Sequence, residues 1–168
     1  MIRDDTAGWG DECPLCAENE AAERGDDPWA VARLATGYVR LNRTQYYRGA
    51  TFFVAKACVT ELHELGRAGR DAHLAEMGEV AEALCLAFGP RKLNHEALGN
   101  TVPHLHWWLT PRYSGDPWPR RPIWENPDFV RLSWTGGLEP DDAERATLKG
   151  LILDGLDSVG VTVERRFP

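Results

Sequence analysis

Residues 92–112 constrain the architecture of this chain more than any other stretch. Lys92 to Leu98 and His104 to Leu109 read as two extended runs, and Gly99-Asn100-Thr101 between them is a run of turn formers. The pair is therefore predicted to be an antiparallel strand–turn–strand unit. Side chains alternate faces along a strand. His104, His106 and Trp108 are thus expected on one face, and Leu105, Trp107 and Leu109 on the other. Two imidazoles beside a turn rich in N–H donors suit a site that grips a phosphate and attacks it.

The flanking sequence supplies the rest of a sheet and its cover. Trp29 to Leu34 and Gly37 to Leu41 read as paired strands with a turn near Thr36-Gly37, and Ala50 to Ala55 as a third. From Asp71 to Phe88, apolar residues fall at Leu74, Met77, Ala81, Leu84, Cys85 and Phe88, a helical stripe that Gly89-Pro90 stops. Val59 to Leu65 adds a helical turn before it, and Glu18 to Asp27 is a charged short helix or loop. A second helix is expected over Asp141 to Ser158, with Leu148, Leu151, Ile152, Gly155, Leu156 and Val159 inward. Between them lies 112–138, a long Pro- and Trp-rich loop in which Val130 to Trp134 reads as a short strand. The order predicts an α+β fold, an antiparallel sheet with helices on one side, as one domain over 1–168. Residues 1–12 show no periodicity.

Composition narrows the function classes. A net charge of −7 argues against a nucleic-acid polymer as partner, although a local donor nest still binds a nucleotide phosphate. No apolar run is long enough to span a membrane, and the acidic, polar Met1 to Glu12 is not a signal peptide. A cytoplasmic protein is expected, with its four cysteines as core residues, metal ligands or nucleophiles rather than disulfides.

A neutral imidazole attacks phosphorus when a partner fixes its tautomer and donors neutralise the phosphate oxygens. His106 is expected in mid-strand, where the sheet holds its backbone, and the turn at Gly99-Asn100-Thr101 offers backbone N–H groups and two side-chain donors. Two half-buried sheet histidines remain the alternative. Cys13-Pro14-Leu15-Cys16 has the spacing of a metal knuckle, and two unrelated cysteines are its alternative. Cys85 is expected in the core. His63, His73 and His95 are expected to be surface or satisfied histidines, with His95, beside Asn94, the reserve candidate.

The longer run resembles the histidine triad (HIT) superfamily. The residues that carry the likeness are Asn94, Leu98-Gly99-Asn100, Val102-Pro103-His104-Leu105-His106-Trp107 and Pro111-Arg112-Tyr113. It looks most like the bacterial branch of dinucleoside polyphosphate hydrolases and extends over roughly residues 13 to 113. The family signature alternates three histidines with apolar residues. The resemblance implies a HIT-like fold, with one long helix on the sheet and a C-terminal helix. It makes His106 the nucleophile. Asn100, Thr101 and Gly99 become phosphate contacts, and Asn94 supports the histidines or the phosphate. The base and ribose pocket falls near Leu41, Asn42 and Gln45. It implies a nucleotide hydrolase or nucleotidyl transferase acting at the α-phosphate through a nucleotidyl-His106 intermediate, and a homodimer.

The third triad position is Trp108 rather than histidine. Indole donates a hydrogen bond but relays no proton near neutral pH. A related nucleotidyltransferase branch has glutamine there, so the nucleophile's chemistry survives without it. Trp108 narrows the pocket, stacks a base or sugar, or partly closes the site. A catalytically weak nucleotide-binding protein is therefore the rival reading, and a zinc-stabilised interaction module the third. Some bacterial relatives join an N-terminal Cys-x-x-Cys to a histidine after the third strand and to the first triad histidine. Here Cys58 stands where that histidine would be. The implied structural zinc set is Cys13, Cys16, Cys58 and His104.

Overall fold

A computed structural model describes residues 13–167, so the expectations for residues 1–12 lie outside the described residues. The elements run α1 (Pro14–Arg24), β1 (Ala30–Arg33), β2 (Gly37–Leu41), β3 (Thr51–Ala55), a 3₁₀ turn (Leu62–Leu65) and α2 (Gly66–Phe88). Then come β4 (Lys92–Glu96), β5 (His106–Arg112), a second 3₁₀ turn (Ile123–Glu125), α3 (Pro127–Thr135), α4 (Asp142–Val159) and β6 (Arg165–Arg166). The six strands form one antiparallel sheet in the order β4-β5-β3-β2-β1-β6. The fold is α+β.

One face of the sheet meets α2 and α4. Val31, Val39, Phe53, Leu93 and Leu109 point into this layer and pack with Val80, Leu84, Leu148, Ile152 and Leu156 in one apolar cluster. The two helices touch closely because Gly155 has no side chain; a Cβ there would lie 2.5 Å from the carbonyl oxygen of Ala83. Burial at 25 cal/mol per Å² makes this cluster the largest stabilising contribution in the chain. The stripe on α2 sits about one residue from its expected place. Val80 and His73 are buried, while Cys85 is exposed. Cys85 is therefore a correction to the expectation of a core cysteine: the helix is turned so that Val80 and Ala83 join Ala81 and Leu84 on the inner side and Cys85 falls outside.

His73 enters the core only because each ring nitrogen is satisfied. Trp107 Nε1–H donates to its Nε2 at 3.2 Å. That leaves the proton on Nδ1, which donates to Thr36 Oγ at 3.1 Å, and Thr36 passes its own hydroxyl proton to Glu76. The Glu76 carboxylate also accepts the N–H groups of Ala35 and Thr36, which pins the β1–β2 turn to α2.

The expectation of helices on one side holds for α2 and α4 only. On the opposite face α1 packs Ala22 against Ala30, Tyr38 and Phe167. There too α3 packs Phe129 with Tyr47, Ala50 and Ile123 against Trp108. The strand expected over Val130 to Trp134 is part of α3: the Asn126 side chain caps the N–H groups of Asp128 and Phe129, and Pro127 opens the first turn. β-Branched Val130 favours an extended chain locally, and the cap and tertiary packing overrode that propensity. The Pro/Trp-rich stretch is anchored by Arg112. Its guanidinium reaches Asp116 (2.8 Å), Asn94 Oδ1 (2.9 Å) and the carbonyls of Arg121 and Trp118, and lies over the Tyr47 ring. No helix among the described residues is long and apolar enough to cross a membrane.

Candidate active site and metal centre

The two histidines of the strand have different surroundings. His106 opens β5 opposite Val54 and is half-buried. Its Nδ1 lies 2.6 Å from the carbonyl oxygen of His104. A carbonyl only accepts, so the proton sits on Nδ1 and the Nε2 lone pair is left for chemistry. Phe52 from β3 and Trp108 share its face: Phe52 meets His106 edge-on at 6.1 Å and Trp108 at 4.5 Å.

His104 lies before β5, not within it, and is fully buried. Its Nε2–H donates to the carbonyl of Ala55 at 2.8 Å, so its Nδ1 carries a lone pair. That atom faces the thiols of Cys13 (3.3 Å) and Cys16 (3.6 Å). Cys13 caps α1 and Cys16 falls in its first turn, so the helix presents both sulfurs to the sheet. Cys58, just past β3, completes the group: the ligand atoms of Cys13, Cys16, Cys58 and His104 all lie within 4.8 Å of one another. Burial, then hydrogen bonds to and charge on Cys58 and Cys13, push the Cys16 thiol up to about 12. Burial likewise disfavours protonation of His104, although its bond to Ala55 opposes this. Three thiolates crowded together repel unless a cation joins them. Three sulfurs and one neutral imidazole nitrogen are a donor set that suits a tetrahedral metal ion. The cluster thus fits a metal, and only Leu105 separates its His104 from His106 in the chain.

Two clefts border His106. One, of about 430 Å³, is lined by Leu98 to Val102, His106, Trp108, Trp124 and Ser133. The other, of about 240 Å³, lies towards the first 3₁₀ turn and shares Leu98, Gly99 and Asn100 with it. Gly99 takes a left-handed conformation (φ +64°), which turns the chain between β4 and β5. Gly99, Asn100, Thr101, His104 and Trp108 are therefore brought together around His106.

Asn42, Gln45 and Asn94 are placed differently. Asn42 lines a third cleft of about 360 Å³ with Arg40, Thr44, Phe52 and Ser133. Its Oδ1 accepts the N–H of Thr44. Gln45 spends its amide inside the loop, on the carbonyls of Asn42 and Ala50 and the N–H of Gly49, and lines none of these clefts. Asn94 accepts from Arg112 and also lies outside them. The floor of the third cleft is Arg40, buried between Glu18 (2.9 Å) and Asp27 (2.6 Å). Trp124 belongs to the tryptophans of 107–134, whose sequence reading is core or lid packing or the stacking of a nucleobase; Phe52, Ser133 and Arg40 are additions of the structure. Phe52 alone had a signal, the strand alternation that places it beside the histidine face; the others arrive through long-range packing.

The site thus sets a half-buried imidazole, its Nδ1–H spent on a backbone carbonyl, beside a glycine turn at one side of a six-stranded antiparallel sheet. Residues 35–115 match the HIT domain. Among solved structures, a histidine triad protein from Sinorhizobium meliloti is 26% identical, with 81% of this chain and 93% of that one covered and a TM-score of 0.60. A hypothetical histidine triad nucleotide-binding protein from Sulfolobus tokodaii is 15% identical over 86% and 93%, with a TM-score of 0.64. A zinc-bound histidine triad family protein from Mycobacterium smegmatis is 21% identical over 88% and 96%, with a TM-score of 0.61. No curated protein matches the sequence.

Proposed function

We propose that this protein is a nucleotide hydrolase or nucleotidyl transferase acting at the α-phosphate of a nucleotide conjugate, such as a dinucleoside polyphosphate. The observation that carries the reading is the 2.6 Å bond from His106 Nδ1–H to the carbonyl of His104, which leaves Nε2 as the base-form nitrogen beside the clefts. His106 Nε2 bonds to the α-phosphorus as the bond from phosphorus to the leaving group breaks, and the leaving group carries away the electron pair and takes a proton from solvent. The positive charge that develops on the imidazole is stabilised by the His104 carbonyl. Water or another acceptor then attacks the phosphorus, gives up its proton to solvent, and returns Nε2 with its lone pair. Gly99, Asn100 and Thr101 are assigned to the phosphate oxygens, and Asn42 to the nucleoside.

We assign zinc to Cys13, Cys16, Cys58 and His104 as a structural ion, since protein fills all four positions. When bound it supplies charge neutralisation for the thiolates, and it holds the peptide whose carbonyl orients His106. A homodimer is the proposed assembly, checked by light scattering.

The test is release of nucleoside monophosphate from a panel of dinucleoside polyphosphates, nucleotide sugars and nucleoside phosphoramidates, beside His106→Ala. Release by the wild type with a loss of about 10³-fold or more in the variant is expected, together with a nucleotidyl adduct on the intact protein. Release that persists in a folded His106→Ala protein sinks the mechanism. A second reading, tight binding with little turnover, is favoured by one observation. Trp108 occupies the third triad position and is held between Phe52 and Trp124, so it offers no relay for the leaving group's proton. It predicts nucleotide binding with neither release nor adduct.

A further inference from the structure

The cleft of about 430 Å³ beside His106 is mostly apolar. Asn100 and Thr101 line it beside His106, and apart from Ser133 the rest of its lining is Leu98, Gly99, Val102 and two indoles. The cleft around Arg40, Asn42 and Thr44 is its opposite, with donors and acceptors on several sides. The two clefts meet at Ser133, whose buried Oγ has no hydrogen-bond partner among the described residues. A nucleoside placed among the indoles would strand the polar edge of its base without partners, and an unmade buried hydrogen bond is costly. The nucleoside therefore fits the Arg40 and Asn42 side. What remains for the indole side is the other substituent on phosphorus.

That side is already shaped. Trp108 and Trp124 have centroids 5.2 Å apart and planes at 69°, so they form a corner. A ring stacked on one indole meets the other edge-on, and both are favoured aromatic geometries. Trp124 is 37% exposed, yet it is fixed at two places. Its Nε1–H donates to Glu96 at 2.7 Å, and its ring packs on Phe129 at 5.5 Å. An exposed indole that is tied down loses little further freedom when a ring lands on it. Trp124 comes from the segment beyond residue 115, outside the stretch that matches the HIT domain.

We infer that the substituent opposite the nucleoside on the attacked phosphorus carries a flat aromatic group, held in the corner between Trp108 and Trp124. The inference rests on the nucleotidyl-transfer reading and names its substrate class. Ser133 then supplies a hydrogen bond where the substrate passes from one cleft to the other.

The experiment measures binding by calorimetry to full-length His106→Ala protein, so that turnover does not intervene. The probes are AMP and GMP with their 5′-benzyl and 5′-ethyl phosphodiesters. The benzyl ester of the preferred nucleotide is expected to bind about tenfold tighter than the ethyl ester, in line with stacking on an aromatic side chain. Trp124→Leu should bring the two within about twofold, and Trp124→Phe should keep most of the preference. Equal affinity of both esters for the parent protein overturns the inference and needs no folded Trp124 variant. So does a Trp124→Leu protein that loses AMP or GMP as strongly as the benzyl ester, because the base would then occupy the corner. If neither nucleotides nor esters bind, and wild-type protein releases no monophosphate from the panel, the parent reading falls and this one with it.

Discussion

The two faces of the sheet are built on different principles. The face under α2 and α4 is a largely apolar layer from Val31 to Leu156 that also takes in the fully hydrogen-bonded His73. The opposite face holds the site, and little of it is simply apolar. It carries a cysteine cluster, a buried arginine between two carboxylates, a second arginine that ties down a loop, and a row of aromatic rings. The first face is stabilised by area, which is non-directional and tolerant. The second depends on directional contacts between segments far apart in sequence, which hold side chains in one geometry. That is what a site needs, and it makes the second face the more brittle of the two.

The comparison can be broken at Arg112. Removing it in Arg112→Met leaves Asp116 buried without its cation, which should cost about 3–5 kcal/mol. The damage should be local. Limited proteolysis is expected to cut within residues 113–126 while the far-ultraviolet circular dichroism spectrum holds; a cooperative loss of the whole fold instead would erase the distinction between the faces. Leu84→Ala, on the other face, should cost about 2–5 kcal/mol. Its effect should be global, seen as a lower urea midpoint by every probe.

Metal removal comes next. Purified protein is expected to carry one zinc per chain by elemental analysis. A saturating chelator should remove about 3 kcal/mol of stability if the ion is held at roughly a hundredfold over its dissociation constant. Cys58→Ser should reproduce the loss, and Cys85→Ser, exposed on α2, should not. Equal behaviour of the two variants would dissolve the proposed centre. The smallest effect is a pH dependence. Burial holds the His73 pKa below its ordinary value, with the Glu76 charge opposing. The unfolded chain therefore takes up the proton first as pH falls. The stability that depends on neutral His73 is full above pH 6.5, the ordinary value, and is lost as pH drops through the folded value. His73→Gln should flatten part of the fall in urea midpoint between pH 7.5 and 5.5. Only part, because His95 and His104 are also held low by burial. An unchanged slope in the variant would show that His73 does not carry it.

Legibility in the sequence follows the same division. β2, β3 and β4 and the two long helices lie where local patterns placed them, because alternation and the 3.6-residue stripe record which side of a segment is buried. The meeting of Cys13, Cys16, Cys58 and His104 was legible only through the family likeness. Spacing within one segment says nothing about residues 91 positions apart. The strand expected over Val130 to Trp134 follows the local preference of β-branched Val130, and the cap at Asn126 with the packing of α3 on Tyr47 decided otherwise.

The sequence by itself determined the apolar layer, the turn at Gly99 and the histidine that faces it, since each depends on residues close together in the chain. Tertiary structure alone decided that His104 turns away to the thiols while its carbonyl orients His106. It also decided that Arg112 is spent on holding a loop, and that Trp124 stands against Trp108. Hydrophobic burial repeats with the period of the backbone and so leaves a local trace. A hydrogen bond or a ring contact across the fold is set by the positions of two whole segments, and neither segment records it alone.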